Sequence, residues 1–102
     1  MLIFSQIREE FIMYGLAKRI LDRAKAEGVD IGIAYDYIAN EIGYTDGLKI
    51  AFKFIQDNYE AVTALRVKGK ETELKTLARM WEKDNIEGVK NYIEYLKSEG
   101  VI

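Results

Sequence analysis

Apolar residues recur at three- and four-residue spacing along nearly the whole chain, and no segment requires a strand, so the pattern predicts helices throughout. The first segment, from about Ser5 to Glu27, carries Ile7, Phe11, Tyr14, Ala17 and Leu21 on one stripe. Lys18, Arg19, Arg23 and Lys25 lie towards its end, where the helix dipole favours cations. A second segment runs from about Ile31 to Ile42. A third starts at Asp46, and Leu48, Phe52, Ile55, Tyr59, Val62 and Leu65 carry its stripe on to about Val67. The fourth, about Glu71 to Asp84, and the fifth, about Ile86 to Glu99, place Leu74, Leu77, Ala78, Trp81 and Val89, Tyr92, Ile93, Leu96 at matching i, i+3, i+4, i+7 positions. With only Asp84-Asn85 between them, these two must be antiparallel neighbours that join their stripes in a hairpin.

Glycine supplies the punctuation, because proline is absent. Gly28-Val29, Gly43-Tyr44 and Gly100-Val101 each read as a helix C-cap, a glycine in the left-handed conformation with an apolar residue folding back on the last turn. Asp30 and Asp46 then follow as acceptors for the free N–H groups of the next helix. Residues 62–75 leave two readings open. Lys68-Gly69 either ends a helix in a turn or turns a short hairpin like the wing of a winged helix. A faint internal echo relates Asp46-Gly47-Leu48-Lys49 to Glu87-Gly88-Val89-Lys90; it reads as a shared helix-start chemistry or as a duplicated helix pair. The fold expected is all-α, a compact bundle of about five helices in a single domain over residues 1–102.

Composition narrows the function. A length of 102 residues suits one core. Cysteine is absent, which removes disulfides, thiolate zinc sites and a cysteine nucleophile and points to an intracellular, cytoplasmic setting. Arg8, Glu9 and Glu10 follow Met1-Leu2-Ile3-Phe4 too closely for a signal peptide, and no window reaches the roughly 18 apolar residues of a membrane span. The net charge of -2 argues against a general nucleic-acid binder, whose affinity needs clustered Lys and Arg. The lack of Cys and His with abundant Ile, Tyr, Glu and Lys resembles proteins of hyperthermophilic archaea and their viruses, which would place the protein in the host cell of a virus or mobile element.

With no His and no Cys, the common general base near neutrality and the common zinc ligands are missing. Ser5 and Ser98 sit near helix ends as caps or solvated hydroxyls. No glycine-rich phosphate loop is present, and carboxylates such as Asp36 and Glu41 fall on no apolar face that would make them a metal or acid–base pair. The expectation is a protein that is not an enzyme and has no catalytic residues, cofactor, metal or small-molecule substrate.

Two non-catalytic functions remain. Ala39, Gly43 and Tyr44 meet the needs of a helix-turn-helix: a small residue where the helices cross, a glycine in the turn, an apolar lock after it. Ile38-Ala39, Gly43-Tyr44, Asp46, Ile50, Phe54 and Arg66 further resemble the C-terminal half of AraC-type transcription regulators, a likeness that covers residues 38–66. In that family's pattern Tyr59 and Val62 stand near expected Gly and Pro, and Phe52 stands at an expected Arg. The resemblance implies a recognition helix in the major groove of double-stranded DNA with Thr45, Lys49 and Lys53 forward. Arg66, Lys68 and Lys70, with Lys75 and Arg79, form a basic cluster suited to phosphates. The helical wheel of the third segment speaks for a core helix instead: Leu48, Ile50, Ala51, Phe52, Phe54, Ile55 and Tyr59 fill most of its circumference, leaving a charge-mixed strip of Lys49, Lys53, Gln56, Asp57 and Glu60. The other function, the preferred one, is protein–protein interaction, as an adaptor or homo-oligomer. Tyr35, Tyr37, Met80 and Tyr95 lie beside the apolar stripes as partner-binding candidates, of the residue types enriched at interface centres.

Overall fold

The computed structural model describes the backbone of residues 2–102 and the side chains from residue 12 onward; the stripe positions Ile7 and Phe11 and the hydroxyl of Ser5 lie outside the described side chains. Six helices are present among the described residues and no strand: α1 (Leu2–Glu27), α2 (Ile31–Ile42), α3 (Asp46–Asp57), α4 (Tyr59–Val67), α5 (Glu71–Glu82) and α6 (Ile86–Ser98). The chain is all-α, as its periodicity requires. The contacts divide it into two units, Met1–Asp57 and Asn58–Ile102.

In the first unit α1, α2 and α3 all pack on one another, with α1 the shared partner. Met13, Ala17, Ile20 and Leu21 of α1, Ala34, Ile38 and Ala39 of α2, and Leu48, Ala51, Phe54 and Ile55 of α3 are buried. In the second unit α5 packs against both α4 and α6. Its stripe of Leu74, Leu77 and Ala78 is buried, as are Val89 and Leu96 of α6 and Ala61, Val62 and Leu65 of α4. The α5–α6 pair is the antiparallel hairpin that the matching stripes demand.

The third sequence segment is not one helix. It breaks at Asn58, whose backbone (φ -130°, ψ 33°) is outside the helical region and which makes no side-chain cap. Asp57 and Asn58 are weak helix formers whose short polar side chains compete with the backbone ladder, so a break is inexpensive there. The apolar stripe runs on across the break because each side of it has a core to fill. Tyr59, counted on the stripe, is half in water at 50% exposure. At residues 62–75 the helix-and-turn reading holds: Lys70 N–H bonds Leu65 C=O at 2.9 Å and Gly69 N–H bonds Arg66 C=O at 3.3 Å, the paired bonds of a Schellman cap.

The helix starts differ in part from expectation. Asp30 caps α2, its Oδ1 accepting from Ile33 N–H at 3.0 Å. Asp46 does not cap α3, because it is already the first helical residue. Thr45 takes that role, its Oγ1 accepting from Leu48 N–H at 3.2 Å. Asn85 caps α6 by accepting from Gly88 N–H at 3.0 Å, and a Cβ at Gly88 would come within 2.7 Å of the Asn85 Cγ. The corresponding Gly47 faces only Leu16 Cδ1 at 3.5 Å, an ordinary contact. The echo between the two helix starts is thus out of step by one residue in its caps.

One turn uses the wrong residue for its geometry. Between α5 and α6, Asn85 N–H bonds Met80 C=O at 3.0 Å and Asp84 N–H bonds Trp81 C=O at 3.0 Å, again a Schellman pair, but the residue at positive φ is Asp84, at 61°. A side chain there costs up to about 1 kcal/mol against glycine. Asp84→Gly is therefore expected to raise the thermal midpoint, by a few degrees in a melt followed by circular dichroism. An unchanged or lower midpoint would mean that the carboxylate contributes something the turn geometry does not reveal.

Candidate functional site

The α2–α3 corner is held by an aromatic cluster. Tyr35 of α2 stacks on Phe52 of α3 with centroids 4.5 Å apart and planes at 11°, and Tyr44 from the turn meets Tyr35 edge-on at 5.8 Å. The Tyr44 hydroxyl donates to Asp36 Oδ1 at 3.1 Å, and that bond to a carboxylate pushes the phenol above its usual range. Gly43 ends α2 with its N–H on Ala39 C=O at 2.7 Å. Its backbone, φ 96° and ψ 158°, is not the left-handed helical one expected of a C-cap but an extended conformation at positive φ, open to glycine alone. The chain leaves α2 straight instead of curling back, which is what sets Tyr44 beside Tyr35.

The charged groups of α1 and α2 meet one another. Glu41 accepts from Arg23 Nη1 at 2.7 Å and lies 3.8 Å from Arg19 Nη2, while Arg23 also reaches Glu27 at 3.6 Å and sits 5.2 Å above the Tyr37 ring. Of the cations near the end of α1, Arg19 and Arg23 are thus neutralised within the chain. The hydrogen bond from Arg23 holds the Glu41 carboxyl below the usual carboxylate range. A depressed folded-state pKa stabilises above the unfolded value near 4.5 and loses that effect as pH falls through the folded one. The difference in thermal midpoint between wild type and Glu41→Gln is accordingly expected at pH 7 and should close on acidification towards pH 3. Because these groups are exposed, salt should shrink it too.

The DNA-contact candidates are spread over both units. On α3 the solvent strip comprises Asp46, Lys49, Ile50, Lys53, Gln56 and Asp57. Ile50, which the wheel places on the buried arc, is 45% exposed, and Glu60 belongs to α4. Lys53 pairs with Asp57 at 3.1 Å, so the strip has no net positive charge. The Thr45 hydroxyl serves α3 as its cap. Arg66 is half-buried on α4, Lys68 donates to Val101 C=O at 3.0 Å, and Lys70 is exposed at the start of α5.

Of the partner candidates, Tyr35 is half-buried in the corner stack and Tyr37 lies under Arg23. Met80 is half-buried on α5, and Tyr95 on α6 is 56% exposed. Tyr95 stacks on Tyr92 with centroids 6.3 Å apart and planes at 19°. Burial pushes the Tyr92 phenol up. Sequence reasoning missed Tyr92 as the ring beside Tyr95. The signal was present in the i, i+3 spacing of the two tyrosines on one helix.

Among the described residues no group of His, Cys, Asp and Glu is arranged to hold a metal ion, and no helix is long and apolar enough to cross a membrane. Asp36 and Glu41 are engaged with Tyr44 and Arg23, and the Ser98 hydroxyl donates to Tyr95 C=O at 2.8 Å. No protein-family model, no curated protein and no solved structure matches the chain.

Proposed function

We propose that the protein acts without catalysis inside the cell, as a helical module that associates with another protein or with itself. One observation carries the reading: four of its seven tyrosines stand in water, Tyr37, Tyr44, Tyr59 and Tyr95 at 38, 52, 50 and 56% exposure. Single exposed apolar residues are ordinary. Tyrosine, though, offers large area at the cost of few rotors and keeps a polar tip, which suits it to surfaces that are alternately wet and covered. The absence of His and Cys from the sequence supports the non-catalytic part.

Sequence-specific DNA binding is the second reading. It is favoured by the mutual packing of α1, α2 and α3 and by the glycine turn between α2 and α3. The neutral strip on α3 weighs against it, since phosphate attraction supplies most of the affinity of a DNA-binding module.

Two assays separate the readings. Under the first, sedimentation at micromolar concentration shows self-association, or a defined partner is captured, and Tyr95→Ala or Met80→Ala weakens it while leaving the helical spectrum intact. A hot-spot residue typically costs about 2 kcal/mol or more when truncated. Under the second, titration with duplex DNA shows binding that falls steeply between about 50 and 200 mM salt, and Lys49→Glu with Lys53→Glu abolishes it. Aromatic variants that behave as wild type, beside lysine reversals that lose DNA, would replace the first reading by the second.

A further inference from the structure

The exposed face shared by α1 and α2 carries a row of four charges that alternate in sign. Glu27 lies 3.6 Å from Arg23 Nε, Arg23 Nη1 donates to Glu41 Oε1 at 2.7 Å, and Arg19 Nη2 lies 3.8 Å from Glu41 Oε2. The order along the seam is therefore minus, plus, minus, plus. Arg19, Arg23 and Glu27 stand one turn apart on one side of α1, and Glu41 reaches in from α2. Only the central contact has hydrogen-bond length. The two end groups, Arg19 and Glu27, are held more loosely, and the side chain of each is 50% exposed. Under Arg23 lies the Tyr37 ring at 5.2 Å, and Ile33 stands one turn away from Tyr37 on the same side of α2. Both are open to water, Tyr37 at 38% and Ile33 at 42% exposure.

We infer that this face docks on a second copy of itself across a two-fold axis. Charge complementarity selects that occupant. An alternating row with opposite signs at its two ends is complementary to its own reversed image: Glu27 meets the partner's Arg19 and Arg23 meets the partner's Glu41, each pairing occurring twice. Set parallel, the same rows oppose like charges throughout, which fixes the orientation. The row sums to zero, so two copies are not held apart by it. A partner with charge of one sign, acidic or basic, matches half of the row and opposes the other half. Exposed ion pairs are weak by themselves, and Tyr37, beside the central Arg23–Glu41 bond and so near the axis, adds the aromatic contact that they lack. The inference rests on the protein-interaction reading and names one surface and one occupant for it.

The test is sedimentation of the full chain at micromolar concentration, as wild type, as Arg19→Glu, as Glu27→Arg and as an equimolar mixture of the two variants. Wild type is expected to dimerise, and less tightly as salt rises from about 50 to 500 mM. Each variant sets like charges against each other at both ends of the two-fold pair, so each should self-associate about tenfold or more weakly. In the mixture the opposed ends again differ in sign and dimerisation should return, a rescue that misfolded variants could not give. Wild type that stays monomeric, single variants that dimerise as wild type does, or a mixture no tighter than its components overturns the inference. The interaction reading is judged separately. Association that Tyr95→Ala removes and Arg19→Glu leaves intact upholds that reading and discards this face, whereas a wild type that neither associates nor captures a defined partner discards both.

Discussion

Replacing Phe54 by alanine should cost about 3–5 kcal/mol, the range for truncating a fully buried aromatic. Phe54 is completely excluded from solvent on α3, beside Leu48, Ala51 and Ile55, which are equally buried. The cost has two parts, the apolar area returned to water and the cavity that a close-packed interior closes only partly. For a domain of this size that is a large share of the total stability, and a chemical denaturation curve should show the midpoint moving sharply down at nearly constant slope. The matched control is Ile50→Ala on the same helix. Ile50 is 45% exposed, so its truncation should change stability by about 0.5 kcal/mol or less. Equal losses at both positions would mean that α3 presents a different face to the core.

Gly43 should be the most sensitive turn position. No atom lies within 4 Å of where its Cβ would stand, so crowding plays no part and any loss is backbone strain. At φ 96° and ψ 158° that strain is about 1–3 kcal/mol for any residue but glycine, asparagine included. Gly28 provides the contrast: its φ is 66°, and Val29 N–H reaches Ala24 C=O at 3.1 Å in a Schellman cap, a setting asparagine tolerates. Gly28→Asn is expected to melt within a few degrees of wild type and Gly43→Asn well below it. If the two asparagine variants melt together, Gly43 is an ordinary left-handed cap after all. The loss at Gly43 should be accompanied by a change in the environment of Tyr44 and Tyr35, since the extended exit from α2 is what brings those rings together.

The candidate surfaces were only partly legible beforehand. Tyr95 could be picked out because it falls off the stripe of its helix, and off-stripe position is a local property. Tyr35 falls off its stripe equally and is nevertheless half-buried, because Tyr44 from the turn and Phe52 from the next helix close over it. Lys53 and Lys68 look alike in sequence as free cations; the structure ties the one to Asp57 four residues on, the other to a carbonyl at the far end of the chain.

The sequence by itself determined that this protein is helical from end to end, where most of its helices begin and stop, and that its last two helices form a hairpin. Those features rest on short-range physics: a 3.6-residue apolar period, caps within three or four residues, and a linker too short for any other geometry. What only the tertiary structure decided is the break at Asn58, the water-facing position of Ile50 and the extended turn at Gly43. Each depends on which neighbour a helix packs against. The apolar stripe runs unbroken through Asn58 because both sides of it are buried, and a stripe alone records that residues are buried without recording against what. A helical wheel likewise cannot tell Phe54 from Ile50 until α1 and α2 have taken one side of α3.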